Sequence, residues 1–265
     1  MIPKIIHYCW MSGDKYPEVI AKCMETWKAN LSDYQFIKWD STNFDYSKYP
    51  YTDEAMKCRK YAFVSDYIRL FALYKYGGIY LDSDIEVLKN FDALLVNRAF
   101  TGFEGADSIG VWLLASEKGN PFFKELLDCY DGRHFLKPNG EMDLTPNPTI
   151  LAPIFKKYGI VLDNTFQQNE YVTVYPSDYF CPLDKLTRDI NITENSYAMH
   201  LFNGAWVPME ERYYRRTFQK YYQELPQWIP FSTRLNMAKA RAAFETGGFK
   251  GLFKRTSHFF KSFKV

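Results

Sequence analysis

Cysteine is scarce in this chain: five in 265 residues, at positions 9, 23, 58, 129 and 181, an odd number with no Cys-x-x-Cys pair. That points away from a disulfide framework and toward a reduced, cytoplasmic interior. No run of eighteen apolar residues occurs, so no membrane-spanning helix is expected. The N-terminus lacks the charged-then-apolar order of a secretory signal, because Lys4 lies inside a strand-like run. Glycine-rich phosphate loops are missing as well: there is no Walker pattern and no G-x-G-x-x-G, nor a zinc motif. Internal repeats and low-complexity tracts are absent. What remains is a chain of 265 residues with net charge +2. That length suits one large α/β domain, or one domain with appendages, and is ample for a core.

The most informative stretch present is Tyr76-Gly77-Gly78-Ile79-Tyr80-Leu81-Asp82-Ser83-Asp84. It reads as a helix end, a tight glycine turn, a short buried strand and two carboxylates one residue apart. Two aspartates at i and i+2, just past a strand, can both turn toward one divalent cation as the chain bends. Mg²⁺ and Mn²⁺ favour carboxylate oxygens and are often shared with substrate phosphates. The same tripeptide is also ordinary turn chemistry. Upstream, apolar residues at 63, 64, 67, 68, 71 and 74 follow the period of a buried helix face. Asp66 and Arg69, three apart, share a side of that helix. They read either as an intrahelical salt bridge or as a carboxylate and a guanidinium suited to sugar hydroxyls and phosphates beside the metal site.

The layout alternates strand and helix. Strands are expected at Lys4 to Cys9, Tyr34 to Trp39, Ile79 to Leu81, residues 99 to 104, residues 110 to 115, Val172 to Tyr175 and Tyr197 to Leu201. Helices are expected at Glu18 to Lys28, from about Asp53 to Tyr76 as one long element, at Pro121 to Tyr130 and at Thr149 to Tyr158. This order predicts an α/β fold with a mixed sheet covered by helices. Ligands in such sheets bind beyond the carboxyl ends of strands, where Trp10, Asp82 and Asp84 fall.

The string Ser65-Asp66-x-x-Arg69, then Tyr76-Gly77-Gly78-Ile79-Tyr80-Leu81-Asp82-x-Asp84, resembles the core of the family 32 glycosyltransferases, the sugar transferases containing a D-x-D motif. It is similar also to the catalytic domains of the large clostridial glucosylating toxins. The opening Ile2-Pro3-Lys4-Ile5-Ile6-His7-Tyr8-Cys9-Trp10 matches the family's N-terminal strand. Trp27-Lys28 and Tyr34-Gln35-Phe36-Ile37-Lys38-Trp39-Asp40 match its second strand region. Gly102-Phe103-Glu104, Ala115-Ser116-Glu117-Lys118-Gly119-Asn120-Pro121-Phe122 and Tyr175-Pro176-Ser177-Asp178-Tyr179-Phe180 follow in the family's order, so the resemblance spans roughly residues 2 to 206. It implies a GT-A fold, a Rossmann-like nucleotide-binding domain. Trp10, by itself as readily a core aromatic, is implied to stack on the nucleobase. Asp66 and Arg69 are implied to hold the donor sugar. Asp84 is implied to bind Mn²⁺ or Mg²⁺ directly, and Asp82 to bind the metal or the ribose.

Tyr197-Ala198-Met199-His200-Leu201-Phe202-Asn203-Gly204-Ala205-Trp206 lies where the family completes its metal and diphosphate site. His200 is the first choice for a third metal ligand and Asn203 the alternate; Trp206 either closes over the diphosphate or packs. Leu201 stands where a second histidine is usual, and Ala205 where serine is common. A further departure is Leu144-Thr145-Pro146-Asn147-Pro148, where relatives often carry Thr-Gly-Pro on a loop close to the sugar. The proline-rich version is stiffer, and no acceptor-side residue is assigned from it.

The last 32 residues carry their own signal. From Arg234 onward eight basic residues face one acid, Glu245, giving +7 and leaving −5 for the rest of the chain. Phe249, Leu252, Phe253, Phe260 and Phe263 recur at helical spacing, with Lys250, Lys254, Lys261 and Lys264 to one side. A basic face opposite a phenylalanine face is the pattern of a helix lying in the membrane interface. The chain is therefore expected to divide into a catalytic domain over residues 1–232 and a basic amphipathic helical tail over 233–265. Residues 246–265 are expected to touch an anionic membrane at the cytoplasmic face of the inner membrane. Nucleic acid fits poorly, since the body is net acidic and lacks a nucleic-acid motif.

The expected activity is transfer of a sugar from a nucleotide-sugar, with UDP as the expected carrier, to a glycan or lipid-linked glycan acceptor. Bacterial capsule or lipopolysaccharide is the expected product, and the resemblance implies retention of anomeric configuration. Two rivals stand beside it. A nucleotidyltransferase that makes nucleotide-sugars would use similar carboxylates, but it usually opens with a glycine-rich basic loop where this chain has Trp10-Met11-Ser12-Gly13-Asp14. A non-catalytic glycan-binding scaffold would use the aromatic residues for stacking, but it has no need of an intact D-x-D.

Overall fold

The computed structural model describes residues 1–204, 207 and 209–261, with side chains to residue 248. In chain order the elements are β1 (Ile5–Cys9), α1 (Glu18–Asn30), β2 (Gln35–Trp39), α2 (Pro50–Lys57), α3 (Tyr61–Tyr76), β3 (Gly78–Leu81), β4 (Ile85–Val87), β5 (Ala99–Phe103), β6 (Ile109–Ser116), α4 (Pro121–Asp128), α5 (Asn147–Lys157), β7 (Gln167–Gln168), β8 (Thr173–Tyr175), β9 (Ala198–His200), α6 (Met209–Glu224) and α7 (Phe231–Lys261). Seven strands form one sheet in the order β2-β1-β3-β6-β5-β8-β7, and β4 pairs with β9 in a separate two-stranded ladder. β2, β1 and β3 run parallel, whereas β6 is antiparallel to both β3 and β5. This is the mixed, helix-flanked sheet expected from the alternating pattern.

Both faces of the sheet are covered, which explains why β3, β5 and β6 are apolar without alternation and buried throughout. One core joins the sheet to α2, α3, α4 and α5 through Phe63, Val64, Ile68, Phe122 and Phe155. The other gathers Trp27 of α1 with Ile85, Val87, Phe91, Trp112 and Phe180. Pro121 opens α4, and the Asn120 side chain accepts from the Phe122 N–H to cap it.

The single long helix expected from about Asp53 to Tyr76 is two helices. Arg59 sits at φ 54 in the left-handed region, and α3 restarts at Tyr61. An apolar period cannot reveal such a break, because both halves keep their apolar faces inward. Between α3 and β3 the chain turns on Gly77 (φ 73) and Gly78 (φ 108). A side chain at Gly78 would come within 2.6 Å of the Ile5 carbonyl oxygen, and one at Gly77 within 2.8 Å of the Lys118 nitrogen. Glycine is needed at both places for conformation and for space.

The chain divides into two compact units, residues 1–183 with 191–202, and residues 184–190 with 203–265. The division expected at residue 232 falls within the second unit. That unit holds α6, which apolar periodicity does not reveal: its buried face is Thr217, Phe218, Tyr221 and Tyr222 in an otherwise polar helix. Phe218, Tyr221 and Tyr222 pack on Ala238 and Ala242 of α7. α7 is broken at Gly248 (φ 58, ψ −155). The side chains of the phenylalanine stripe expected over 249–263 lie outside the described residues. No helix of the described residues is long and apolar enough to cross a membrane. All five cysteines are free thiols.

Candidate active site

α3 is buried nearly all round, so its two charged residues are buried with it: Asp66 is 8% exposed and Arg69 4%. Arg69 is held by four residues, and its Nη2 also donates to the Ser65 hydroxyl at 3.3 Å. Its Nη1 donates to the Val111 carbonyl at 2.9 Å and its Nε to the Ser65 carbonyl at 3.3 Å. Its Nη2 lies 3.0 Å from Asp66 Oδ1 and 3.3 Å from Asp82 Oδ1. The guanidinium also lies 4.9 Å from the centre of the Tyr80 ring. The intrahelical salt bridge that the spacing allowed is present, and the same guanidinium extends it to the D-x-D. Tyr80 donates its hydroxyl to Asp82 Oδ1 at 2.9 Å. Both bonds to Asp82 therefore fall on one oxygen, leaving Oδ2 for another partner.

The loop carrying Asp82 and Asp84 is fixed from several sides. The Asp82 N–H donates to the Trp112 carbonyl at 2.8 Å, and the Ile85 N–H to the Asp82 carbonyl at 3.2 Å. Beyond it, Trp27 Nε1 donates to the Ile85 carbonyl at 2.6 Å and Asn30 Nδ2 to the Val87 carbonyl at 2.9 Å, so α1 holds β4 down. β4 pairs with β9 in a register that sets Ile85 opposite His200. The Leu201 N–H closes the ladder onto the Asp84 carbonyl at 3.0 Å. This pairing carries His200 Nε2 to 3.4 Å from Asp84 Oδ1.

Asp82, Asp84 and His200 thus each offer a ligand atom, and these atoms lie within 4.8 Å of one another. Two carboxylate oxygens and an imidazole nitrogen are a donor set that Mn²⁺ accepts and Mg²⁺ tolerates, so the residues fit a divalent cation. The His200 ring is flanked by Trp112 at 4.9 Å and Phe202 at 4.2 Å between centroids. Its Nδ1 is buried without a hydrogen-bond partner, as is Trp112 Nε1. The carboxylate or carbonyl that usually steadies a metal-bound imidazole is replaced here by aromatic contact.

Burial pushes the Asp66 carboxyl up to about 7, Arg69 opposes the rise, and the Asp82 charge adds to it. The Asp82 carboxyl is raised too, first by desolvation, then against Arg69 and with Asp84. Asp82 keeps 28% of its side chain exposed, so the effect of burial is smaller there than at Asp66. A raised folded-state value means that the folded chain holds this proton more tightly than the unfolded chain. The resulting stabilisation is complete below an unfolded value of about 4 and is lost as pH rises through about 7. In the presence of a chelator, urea unfolding at pH 5 and pH 8 should show a loss of roughly 2–3 kcal/mol attributable to Asp66. Asp66→Asn should flatten that slope. Equal slopes in parent and variant would contradict the shift.

Trp10 follows β1, as Asp82 follows β3, and these strands are parallel neighbours, so both residues lie on one edge of the sheet. The indole is half-buried, donates to the Asp14 carbonyl at 2.6 Å and meets Tyr16 edge-on at 4.8 Å. Asn203 is exposed and belongs to the second unit. Trp206 lies outside the described residues. Three features were not read from the sequence. Tyr80, inside the recognised string, binds Asp82. Trp112 packs against His200 with the rings tilted by 35°. A polar cluster of Tyr51, Tyr130, Asn147 and Arg133 lies near Asp66, whose charge reaches both tyrosines. Asn147 Nδ2 donates to the Tyr130 hydroxyl at 2.5 Å. Tyr51 Oη, Asn147 Oδ1 and Arg133 Nε are buried without partners. Asn147 lies in the proline-rich departure Pro146-Asn147-Pro148, which was the available signal.

A family model described as "Capsular polysaccharide synthesis protein" matches residues 1–138. The chain is 30% identical over 168 residues to mannosyl phosphorylinositol ceramide synthase SUR1 of Saccharomyces cerevisiae, a match covering 60% of this chain and 43% of that protein. It is 29% identical over 139 residues to inositol phosphoceramide mannosyltransferase 3 of Schizosaccharomyces pombe, covering 48% and 36%. The match spans less than half the length of these two relatives. Among solved structures, PaToxG glycosyltransferase aligns with a TM-score of 0.46 at 20% identity, over 59% of this chain and 70% of that one.

Proposed function

The chain belongs to the capsular polysaccharide synthesis protein family, and from that premise we propose that it is a metal-dependent glycosyltransferase of GT-A type. It would move a sugar from a nucleotide-sugar to a hydroxyl of a glycan or lipid-linked acceptor. The observation that carries this reading is the convergence of Asp82, Asp84 and His200 at the carboxyl edge of β3, with Arg69 tying Asp82 to Asp66. A divalent cation held by the three would supply Lewis-acid neutralisation of charge on the leaving diphosphate. Arg69 keeps the Asp82 oxygens oriented and offsets part of the repulsion between Asp82 and Asp66. Asp66 offers a carboxylate to donor-sugar hydroxyls, and the unpartnered polar atoms of Tyr51 and Asn147 suit further hydroxyls.

The sequence resemblance supports UDP as carrier and retention of configuration, and a capsule or lipopolysaccharide product would join the sugar chemistry to the basic tail. The names of the fungal relatives support mannose, so GDP-mannose belongs beside the UDP-sugars in any donor screen. The basic tail over 246–265 supports peripheral contact with an anionic membrane at the cytoplasmic face. The test of the reading is slow hydrolysis of nucleotide-sugars with Mn²⁺ present. One donor should be cleaved, and EDTA should stop the reaction. A folded protein that cleaves none of them would sink the proposal, and pyrophosphate release from a nucleoside triphosphate and a sugar phosphate would favour the nucleotidyltransferase.

Trp10 provides a separate check on where the base binds. Trp10→Ala should weaken UDP binding by roughly 1–3 kcal/mol in calorimetry, the usual loss for one base-stacking side chain. Asp66→Asn should leave UDP affinity near the parent value while reducing sugar transfer. The reverse pattern would exchange the two subsites.

A further inference from the structure

The second unit presents a cationic cleft and an exposed aromatic turn, none of whose residues belongs to the candidate active site. Arg216 and Lys220 stand four residues apart on α6 and so share one side of the helix. With Arg188, Gln219, Gln223 and Glu224 they line an open cleft of about 590 Å³, in which Glu224 is the one acid. Neither Arg216 nor Lys220 joins an ion pair among the described residues. α6 ends at Glu224, and Pro226-Gln227-Trp228-Ile229-Pro230 turns the chain into α7. Trp228 is 83% exposed and Phe231 59%. Trp228 follows Glu224 by four positions, so the cleft and the turn lie within about 14 Å along the chain. The unit does not lack a core: Phe218, Tyr221 and Tyr222 are buried between α6 and α7. Phe231 meets the Tyr222 ring edge-on at 6.3 Å and is still more than half exposed, and leaving the Trp228 indole in water beside that core is a cost that folding alone does not explain.

We propose that this end of the α6–α7 hairpin docks on an anionic lipid bilayer, with Trp228 and Phe231 entering the interfacial layer and Arg216 and Lys220 facing headgroup phosphates. An indole is amphipathic and favours the headgroup level of a bilayer. Each lysine or arginine near an anionic surface adds an attraction that falls off within a Debye length. An acidic protein partner would match the cations but gives no reason for an exposed indole on the proline-bounded turn and an exposed phenyl ring at the start of α7. Its residues are none of those in the tail over 246–265 or in the carboxylate site, and the proposal does not depend on either reading.

The test uses the full chain and phosphatidylcholine vesicles with and without phosphatidylglycerol. Parent protein should sediment with the anionic vesicles only. Trp228→Ala should weaken binding roughly tenfold through lost apolar burial. The Arg216→Glu, Lys220→Glu double variant should weaken it at least about thirtyfold at low salt, and high salt should erase the difference. Brominated acyl chains should quench the parent more than Trp228→Phe. Equal melting temperatures keep the comparison between folded proteins. Parent-level binding in both variants, with no Trp228-dependent quenching, would overturn the proposal and leave any membrane contact to the tail. No binding of the parent would overturn both membrane readings. A Trp228→Ala chain that only changes from dimer to monomer would make the turn a contact between copies and overturn the proposal as well.

Discussion

Asp84→Asn should lower sugar transfer at least about a hundredfold, the usual cost of removing one key electrostatic group from a transition state. Asparagine keeps the size and the backbone. The Leu201 N–H bond to the residue 84 carbonyl and the β4–β9 register are main-chain features that survive the change. What is lost is one of the two negative charges proposed to hold the cation, so Mn²⁺ dependence should shift to higher concentration as turnover falls. Chelation should abolish parent activity, and Mn²⁺ or Mg²⁺ should restore it. The measurement is initial rate against Mn²⁺ for parent and variant, with circular dichroism to confirm an unchanged fold. Parent-like activity in Asp84→Asn would remove the metal assignment, whatever became of the donor.

Arg69→Ala should cost about 3–5 kcal/mol of stability, as expected when one member of a buried ion-pair network is removed. Arg69 is 4% exposed and is the shared partner of Asp66 and Asp82, so its loss leaves two acids facing each other in a dry site. The Val111 and Ser65 carbonyls lose a donor at the same time. Arg69→Lys should recover little, because a single ammonium cannot reach a β6 carbonyl and two carboxylates together. Adding Asp66→Asn to Arg69→Ala should recover part of the loss, most visibly at pH 8, where the unfolded carboxyl is ionised and the folded chain must either hold its proton or bury an uncompensated charge. Thermal melts of the parent, the two single variants and the double variant give the coupling directly. A coupling near zero would show that the network contributes nothing to the fold. Arg69→Ala is therefore expected to impair folding, and with it transfer.

Much of the site was legible from local pattern. The D-x-D, the glycine turn and the Asp66/Arg69 pair lie within one helix-turn-strand passage, where i, i+3 spacing and strand-end position fix which side chains share a side. The same passage concealed one break: the sequence from Asp53 to Tyr76 reads as one helix, and Arg59 interrupts it. α6 was not legible for a related reason. Its buried face is made of tyrosines, phenylalanine and threonine in a strongly polar helix, so the apolar period that marks a helix is weak there.

The sequence by itself determined the alternating architecture, the strand-end positions of Trp10, Asp82 and Asp84, and the shared helix side of Asp66 and Arg69, because each depends only on neighbours within a few residues. The tertiary structure alone decided which distant groups join them. The β4–β9 ladder brings His200 to Asp84, β6 supplies the Val111 carbonyl that anchors Arg69, and Tyr51 meets Tyr130 with ring centres 4.8 Å apart. These contacts depend on strand register and on helices packed across a sheet, and no local spacing encodes either one.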